Sequence, residues 1–84
     1  MEIKERVREI IEESFTGCQL ELDIDSWSRK VSGFLIWSGF EGLDQMDRQD
    51  KLWDVLKKRL GDEAARVSTI FTHTPNEYEA MMAA

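Results

Sequence analysis

The sequence predicts an α/β protein of the α+β kind, in which helices pack on one face of a three-stranded sheet. Apolar residues recur at helical spacing in Ile3–Phe15 and again in Asp44–Leu60. Two stretches between these segments have the composition of strands, and a third precedes a Thr-Pro pair near the C-terminus. The predicted order is helix, strand, strand, helix, short helix, strand, helix. Packing the helices on one face of the sheet is the simplest way to bury their apolar sides.

Length and composition predict one small domain spanning residues 1–84. The chain is 42% hydrophobic and carries a formal net charge of −6. No apolar run approaches the ~20 residues that a membrane helix requires, and a single cysteine, Cys18, suits a reducing compartment. We therefore expect a cytoplasmic protein. Because an acidic surface repels phosphate backbones, we expect a protein partner rather than nucleic acid.

The first two elements are a helix and a half-exposed strand. The helix runs from Ile3 to about Thr16, where Gly17 favours a stop. Its outer side mixes acidic and basic residues, which is typical of a solvated helix surface; a docking face is the alternative. The strand alternates charged residues with three apolar ones, namely Leu20, Leu22 and Ile24.

The middle of the chain predicts a second strand followed by the main helix. Val31–Phe40 is almost wholly apolar, which is typical of a strand covered on both faces. Asp44 is a plausible N-cap for the helix, Gly61 ends it, and Arg48 lies one turn after Asp44 as a possible i, i+4 ion-pair partner. Its predicted buried face comprises Met46, Leu52, Trp53, Val55, Leu56 and Leu60.

The C-terminal part predicts a short helical turn, a third strand and a last helix. The strand, Arg66–Thr72, is rich in β-branched residues. Thr74 is expected to cap the last helix, with Pro75 in its first position and Glu77 completing a capping box. Three apolar residues are expected to pack this helix back onto the body, namely Tyr78, Met81 and Met82.

No group of residues predicts catalysis, a metal site or a cofactor. His73 is the only histidine, and it reads as a surface residue at the end of a strand rather than as a ligand. Cys18 has no basic cluster beside it that would lower its pKa, so we interpret it as a small half-buried residue. We therefore predict that the protein is not an enzyme.

Gly39-Phe40-Glu41-Gly42 matches the G-x-x-G pattern of the backbone clamp in KH domains. The match is weak, because the clamp joins two helices whereas this motif follows a predicted strand. Its two central residues are aromatic and acidic rather than basic. The motif is better interpreted as a strand-to-helix turn in which glycine supplies an unusual backbone conformation.

With these elements in this order, the sequence resembles the BolA-like proteins, which have a KH-like α/β domain. Members typically carry Phe-x-Gly after a strand, a helix with an Arg-His pair, and a strand ending in Thr-Pro before an acidic-aromatic helix. The resemblance covers nearly the whole chain. The residues that match the family pattern are Phe40, Gly42, Arg48, Thr74, Pro75, Glu77 and Tyr78.

The chain also departs from the family pattern. Gln49 stands where the family usually has the histidine of the Arg-His pair, and Arg66 stands where the family's metal-ligand histidine lies. The second family ligand, a cysteine or histidine, would fall within Ser26–Lys30, which has neither. BolA-like proteins bind monothiol glutaredoxins and can share an iron–sulfur cluster with them. The resemblance therefore implies a divergent member that keeps the scaffold without ligating a cluster.

Our leading hypothesis is a non-enzymatic protein-interaction module, with a monothiol glutaredoxin as a candidate partner. The resemblance places the partner near the third strand, where Arg66, His73 and the basic end of the main helix, Lys57-Lys58-Arg59, would form the most positive surface. Trp27, Trp37 and Phe40 are candidate aromatic anchors, although Trp37 and Phe40 also fit core positions. The alternative is nucleic-acid binding or transcriptional regulation through a basic strip comprising Arg48, Lys51 and Lys57–Arg59.

Overall fold

The computed structural model describes residues 2–83 and confirms the predicted order of elements. The chain forms three helices and three strands, with one short 3₁₀ turn on each side of the second helix, at Ser38–Phe40 and Gly61–Arg66. The helices and strands are α1 (Ile3–Ser14), β1 (Gln19–Ile24), β2 (Val31–Ile36), α2 (Gln45–Leu60), β3 (Val67–His73) and α3 (Pro75–Ala83).

The sheet has the strand order β1-β2-β3. β1 and β2 form an antiparallel hairpin in which Leu22 lies opposite Gly33. β2 and β3 are parallel, with Leu35 opposite Thr72, so α2 forms the crossover connection that two parallel strands require. The register shifts near Gly33, where β3 has one extra residue; this bulge places Val67 and Ile70, three positions apart, on the same buried side.

The core lies between the sheet and the first two helices. One side of the sheet contributes its alternating apolar residues, and α1 and α2 cover that side with apolar stripes. The residues with no exposed surface are Val7, Ile11, Val31, Leu35, Phe40, Leu52, Leu56 and Ile70. The predicted packing of helices on one face is thus confirmed for α1 and α2.

The third helix contacts the opposite side of the sheet. Phe34 follows Gly33 and precedes the buried Leu35, so its side chain points away from the core. The ring of Tyr78 in α3 stacks on Phe34, with 5.6 Å between ring centroids. This contact corrects the expectation that all helices would share one face of the sheet, because α3 packs on the outward-facing ring of Phe34.

The second strand ends earlier than the sequence predicts. Val31–Ile36 is extended, whereas Ser38–Phe40 forms a 3₁₀ turn. A Cβ atom on residue 39 would lie 2.4 Å from the ring of Trp37. Glycine, which has no side chain, avoids this clash in the turn. The turn folds the apolar run back onto the core, where the ring of Trp37 packs edge-on against Phe15 and Phe40.

The ends of α2 confirm the predicted caps, but one predicted core residue is wrong. The carboxylate of Asp44 accepts a hydrogen bond of 2.9 Å from the backbone N–H of Asp47, and Gly61 closes the helix with φ of 60°. Met46 is 73% exposed, because Arg48 rather than Met46 occupies the buried stripe in the first turns.

The start of α3 confirms the predicted capping box. The backbone N–H of Thr74 donates to the carboxylate of Glu77 at 3.0 Å, and the N–H of Glu77 donates to the Thr74 hydroxyl at 3.2 Å. Tyr78 packs on the body as expected, whereas Met81 and Met82 are exposed, contrary to the prediction. No helix within residues 2–83 combines the length and the hydropathy needed to cross a bilayer.

Candidate functional site

The residues that carry the family pattern converge on one structural joint centred on Arg48. Its side chain is 5% exposed, and its Nε donates to the carbonyl oxygen of Leu43 at 2.9 Å. Its two terminal nitrogens donate to the two carboxylate oxygens of Glu77 at 2.6 and 3.0 Å. The guanidinium carbon lies 5.9 Å from the centre of the Phe40 ring. Arg48 therefore ties α3 to α2 instead of pairing with Asp44.

This joint shifts the pKa of both charged partners. Hydrogen bonds from Arg48, followed in importance by the backbone N–H of Thr74, lower the pKa of Glu77 from 4.5 to about 2. The hydrogen bonds to Glu77 raise the pKa of Arg48 above its already high ordinary value. Both groups are thus charged at neutral pH, and each satisfies the other.

The remaining pattern residues shape the backbone around the joint. Gly42 has φ of 83°, a left-handed conformation that favours glycine, and it connects the 3₁₀ turn to the cap of α2. This finding confirms the interpretation of G-x-x-G as a strand-to-helix turn. Pro75 occupies the first position of α3. A backbone N–H at this position would have no acceptor within the helix, so proline loses no helical hydrogen bond there. Phe40, Arg48 and Thr74 are buried and help to hold the last helix against α2, whereas Gly42, Pro75 and Glu77 are exposed.

Gln49, which stands at the family's histidine position, joins α2 to the third strand. Its Nε2 donates to the carbonyl oxygen of Ile70 at 2.9 Å, and its Oε1 accepts a hydrogen bond of 3.2 Å from Trp53 Nε1. One turn earlier, Gln45 Nε2 donates to the carbonyl oxygen of Thr72 at 3.1 Å. Two glutamine amides thus cover carbonyl groups of β3 that point away from β2. This role could not be predicted from the sequence, because glutamine in an amphipathic helix normally indicates a solvated position.

The hairpin loop between β1 and β2 carries Trp27 on a hydrogen-bonded turn. The carboxylate of Asp25 accepts hydrogen bonds of 2.7 and 3.1 Å from the backbone N–H groups of Trp27 and Ser28, and these bonds lower its pKa. Arg29 adopts a left-handed conformation with φ of 63° that completes the turn. The side chain of Trp27 is nonetheless 94% exposed. A large aromatic ring is therefore exposed on a loop whose backbone N–H groups are hydrogen-bonded to Asp25.

Two arginines lie beside this loop. Arg29 of the loop and Arg66, which immediately precedes β3, line one pocket of about 210 Å³. They meet there because Val31 pairs with Val67, which brings the end of the hairpin loop next to the start of β3. The structure thus brings together Arg66 and the loop of Trp27, two of the sites predicted from the sequence. Their combined surface, Asp25–Lys30 with Arg66, is called the loop end below.

The basic last turn of α2 leads toward the loop end through the second 3₁₀ turn. Lys57, Lys58 and Arg59 are all exposed, as predicted. Lys58 lies 3.1 Å from the carboxylate of Asp54, one turn earlier in α2, and Arg59 donates to Glu13 of α1 at 3.0 Å. Exposed pairs of this kind contribute little to stability.

His73 lies away from the loop end. It is the last residue of β3, whereas Arg66 immediately precedes the first, and seven residue steps in a strand span roughly 23 Å. The backbone carbonyl of His73 accepts a hydrogen bond of 3.0 Å from the N–H of Trp37. The expected grouping of His73 with Arg66 is therefore not found. Trp37 and Phe40 also pack in or against the core, which leaves Trp27 as the exposed aromatic of the three candidate anchors.

Cys18 is half-buried, as the sequence predicts. Burial raises the pKa of the half-buried Cys18, and the nearby carboxylate of Glu12 raises it further, so Cys18 is a poor thiolate. Within residues 2–83, no three side chains of the types that bind metal ions lie close enough together to hold one.

The basic strip that would support nucleic-acid binding is interrupted. Arg48, its first member, is buried and bonded to Glu77. Lys58 and Arg59, farther along the helix, each lie beside a carboxylate. The strip therefore offers phosphate groups fewer free cations than its sequence indicated.

Comparisons with known proteins identify the fold. No family model and no curated protein matches the sequence. BolA1 from Arabidopsis thaliana is 22% identical, with a TM-score of 0.75 over 88% of this chain and 93% of that chain. A BolA protein homologue from Coxiella burnetii is 19% identical, with a TM-score of 0.69 over 94% and 99% of the two chains. A Bol-like protein from Babesia bovis is 18% identical, with a TM-score of 0.62 over 94% and 92%. The chain therefore has the fold of BolA proteins.

Proposed function

We propose that this protein is a divergent member of the BolA family that works as a non-enzymatic, cytosolic interaction module. It docks a partner protein at the loop end, with Trp27 as the anchor. The observation that supports this proposal most directly is the almost complete exposure of Trp27 on a loop fixed by Asp25.

Trp27 suits an anchor for energetic reasons. Aromatic residues dominate the binding energy of protein interfaces, because one large ring loses much water contact when it enters a pocket. The hydrogen bonds from the backbone of Trp27 and Ser28 to Asp25 hold the loop in place before binding. A preordered loop loses less conformational freedom on association than a flexible one.

The charge of the loop end specifies the kind of partner. Arg29, Lys30 and Arg66 outnumber the neighbouring carboxylates of Glu2 and Asp25, on a protein whose formal net charge is −6. A partner with carboxylates around an apolar pocket would be steered to this end and held in one orientation. A monothiol glutaredoxin is the partner that the BolA-like fold suggests for a first test.

The loop end does not fit an iron–sulfur cluster. The fold family would place ligands in the hairpin loop and near Arg66, and these positions do lie together in this structure. The loop and the start of β3 contribute Arg29 and Arg66 to the pocket, whose other lining residues are Glu2, Ile3 and Ile24. Ser26–Lys30 contains neither cysteine nor histidine. Guanidinium groups remain protonated and cannot ligate iron. The proposed docking therefore involves no cluster ligand from this chain.

The test measures association with a monothiol glutaredoxin, or with proteins captured from the source cytosol, at two salt concentrations. We expect Trp27→Ala to weaken binding at least tenfold through faster dissociation. We expect Arg66→Glu to slow association, most strongly at low salt. Met46→Ala and Lys51→Glu are matched controls, because they change an exposed apolar and an exposed basic residue elsewhere on the surface.

Two results would overturn the placement of the docking site. In the first, the control variants weaken binding as much as Trp27→Ala and Arg66→Glu do. In the second, micromolar binding to an oligonucleotide falls steeply with salt and with Lys57→Ala, which would favour nucleic acid as the ligand instead.

A further inference from the structure

The side of the sheet that faces away from the core carries a row of acidic and aromatic residues. Glu21 of β1 lies opposite Phe34 of β2, and Phe34 lies opposite Phe71 of β3. Side chains at paired positions point to the same side of a sheet. Phe71 is 62% exposed, and Glu21 is also exposed. The described part of α3 covers this side near Phe34, on which Tyr78 stacks, and near the buried Ile36.

A groove of about 560 Å³ lies over the β1–β2 end of this row, beside Tyr78 of α3. One wall carries the carboxylates of Glu21 and Asp23, and the other is formed by the stacked rings of Phe34 and Tyr78, which are inclined by 26°. Gly33 contributes to the lining without a side chain. The groove is therefore acidic on one side and aromatic on the other.

The acidic wall has no cationic partner of its own. Neither Glu21 nor Asp23 forms an ion pair with another residue in the range 2–83. Asp23 accepts one hydrogen bond of 3.0 Å from the neighbouring backbone N–H of Ile24, which leaves its other oxygen free. Carboxylates in this state attract a cation from outside the molecule.

The aromatic wall is held in place by the Arg48 joint. Glu77 precedes Tyr78 and binds both Arg48 and the backbone N–H of Thr74, so the first turn of α3 is fixed. The ring of Tyr78 is thereby kept over Phe34. A wall that is ordered before binding loses little freedom when a ligand enters.

We propose that this groove binds an arginine side chain from a basic segment of a partner protein. A planar guanidinium group can stack on an aromatic face while its N–H groups donate to carboxylates, and a groove with both walls serves both interactions. Lysine, a compact ammonium group, would use the acidic wall but stack less well. The exposed ring of Phe71 gives the rest of the segment an apolar surface.

The groove is distinct from the loop end in both residues and charge. It attracts cationic side chains, whereas the loop end attracts carboxylates. The inference does not depend on the proposed function, because loss of binding at Trp27 would leave the groove unchanged.

The test is a nuclear magnetic resonance titration of the whole chain with blocked pentapeptides. The probe peptide has the sequence Gly-Arg-Gly-Arg-Gly, and matched peptides contain lysine or uncharged citrulline in place of arginine. At millimolar peptide we expect shifts at the Gly33 amide and the Tyr78 ring with the arginine peptide. The lysine peptide is expected to bind several-fold more weakly, and the citrulline peptide to cause no saturable shift.

Variants separate the groove from general attraction to an acidic protein. Glu21→Gln combined with Asp23→Asn should weaken binding of the arginine peptide about tenfold. Tyr78→Leu should weaken it several-fold and abolish the preference for arginine over lysine. The control is Asp50→Asn with Asp62→Asn, which removes the same charge from exposed positions outside the groove.

The proposal is overturned if the control pair weakens binding as much as the groove pair does. It is also overturned if the shifts lie away from Gly33 and Tyr78, or if the three peptides bind equally. The amide spectrum of each variant verifies that it is folded, so a lost interaction can be assigned to the altered wall.

Discussion

The carboxylate of Glu77 forms two hydrogen bonds, of 2.6 and 3.0 Å, with the guanidinium of Arg48, twenty-nine residues earlier in the chain. Arg48 is buried between α2 and α3, whereas the side chain of Glu77 is 45% exposed. Glu77 therefore binds the buried guanidinium from the solvent side. The same carboxylate caps α3 through Thr74. One residue therefore both starts the last helix and fixes its position on the body.

Glu77→Gln should destabilise the fold by about 1–2 kcal/mol, because it removes the charge that neutralises a buried guanidinium. The partial exposure of Glu77 keeps this figure below that of a fully buried pair. Urea unfolding at pH 7 measures the change. Glu79→Gln is the matched control on the same helix and should alter the free energy of unfolding by less than ~0.5 kcal/mol. Equal losses in the two variants would contradict the role assigned to the pair.

The stability of the protein should fall in acid partly through the same carboxylate. The pKa of Glu77 is about 2 in the folded chain, against an ordinary value of 4.5. A lowered folded-state pKa means that its contribution is complete above pH 4.5 and is lost as the pH falls toward 2. The difference in unfolding free energy between the wild type and Glu77→Gln should therefore shrink over that window. A constant difference down to pH 2 would show that charge is not the cause.

The order of the elements could be predicted because local signals and tertiary packing agree in most of this chain. The cap at Asp44, the stop at Gly61 and the capping box at Thr74 are all contained in a few neighbouring residues. Each signal is local, so no knowledge of the neighbouring elements was required.

The joint and the edge of β3 could not be predicted from local patterns. The helical spacing of the sequence predicts that Arg48 is a surface residue paired with Asp44. In the structure, its partner is Glu77 of α3. The sequence around Gln49 predicts a solvated side chain, because it does not show that β3 lies beside this residue and accepts its hydrogen bond. The early end of β2 was missed for a related reason: the apolar residues after Ile36 pack into the core through a 3₁₀ turn, and composition does not distinguish these two ways of burying a run.

Gly33→Ala should destabilise the hairpin more than a typical glycine substitution does. A Cβ atom at Gly33 would lie 1.9 Å from the carbonyl oxygen of Glu21, so β1 and β2 would have to separate. We expect a loss of about 2–3 kcal/mol. Gly42→Ala is the comparison, because a Cβ there meets no atom within 4 Å and only the left-handed backbone is strained, at a cost of about 1 kcal/mol. Thermal unfolding of the two variants gives the order, and a larger loss for Gly42→Ala would contradict this account.

Gln49→Ala should loosen the contact between α2 and β3. It leaves Trp53 Nε1 without its acceptor and uncovers the carbonyl oxygen of Ile70. We expect a loss of about 1–2 kcal/mol in unfolding free energy and faster hydrogen exchange in β3. Lys51→Ala, an exposed substitution on the same helix, provides the control and should leave both measurements nearly unchanged. If exchange in β3 is unaffected by Gln49→Ala, the amide does not stabilise the strand.

The isolated protein should acquire no stable iron–sulfur cluster when it is reconstituted with iron and sulfide. The pocket that joins the hairpin loop to the start of β3 contains Arg29 and Arg66, whose positive charges oppose metal ions and whose nitrogens cannot ligate them. Cys18 and His73 lie on other parts of the fold, and burial raises the pKa of the Cys18 thiol, which disfavours the thiolate that iron requires. Visible absorption after removal of unbound iron is the measurement. A stable chromophore that disappears in Cys18→Ser or His73→Ala would contradict the expectation and assign one of these residues as a ligand.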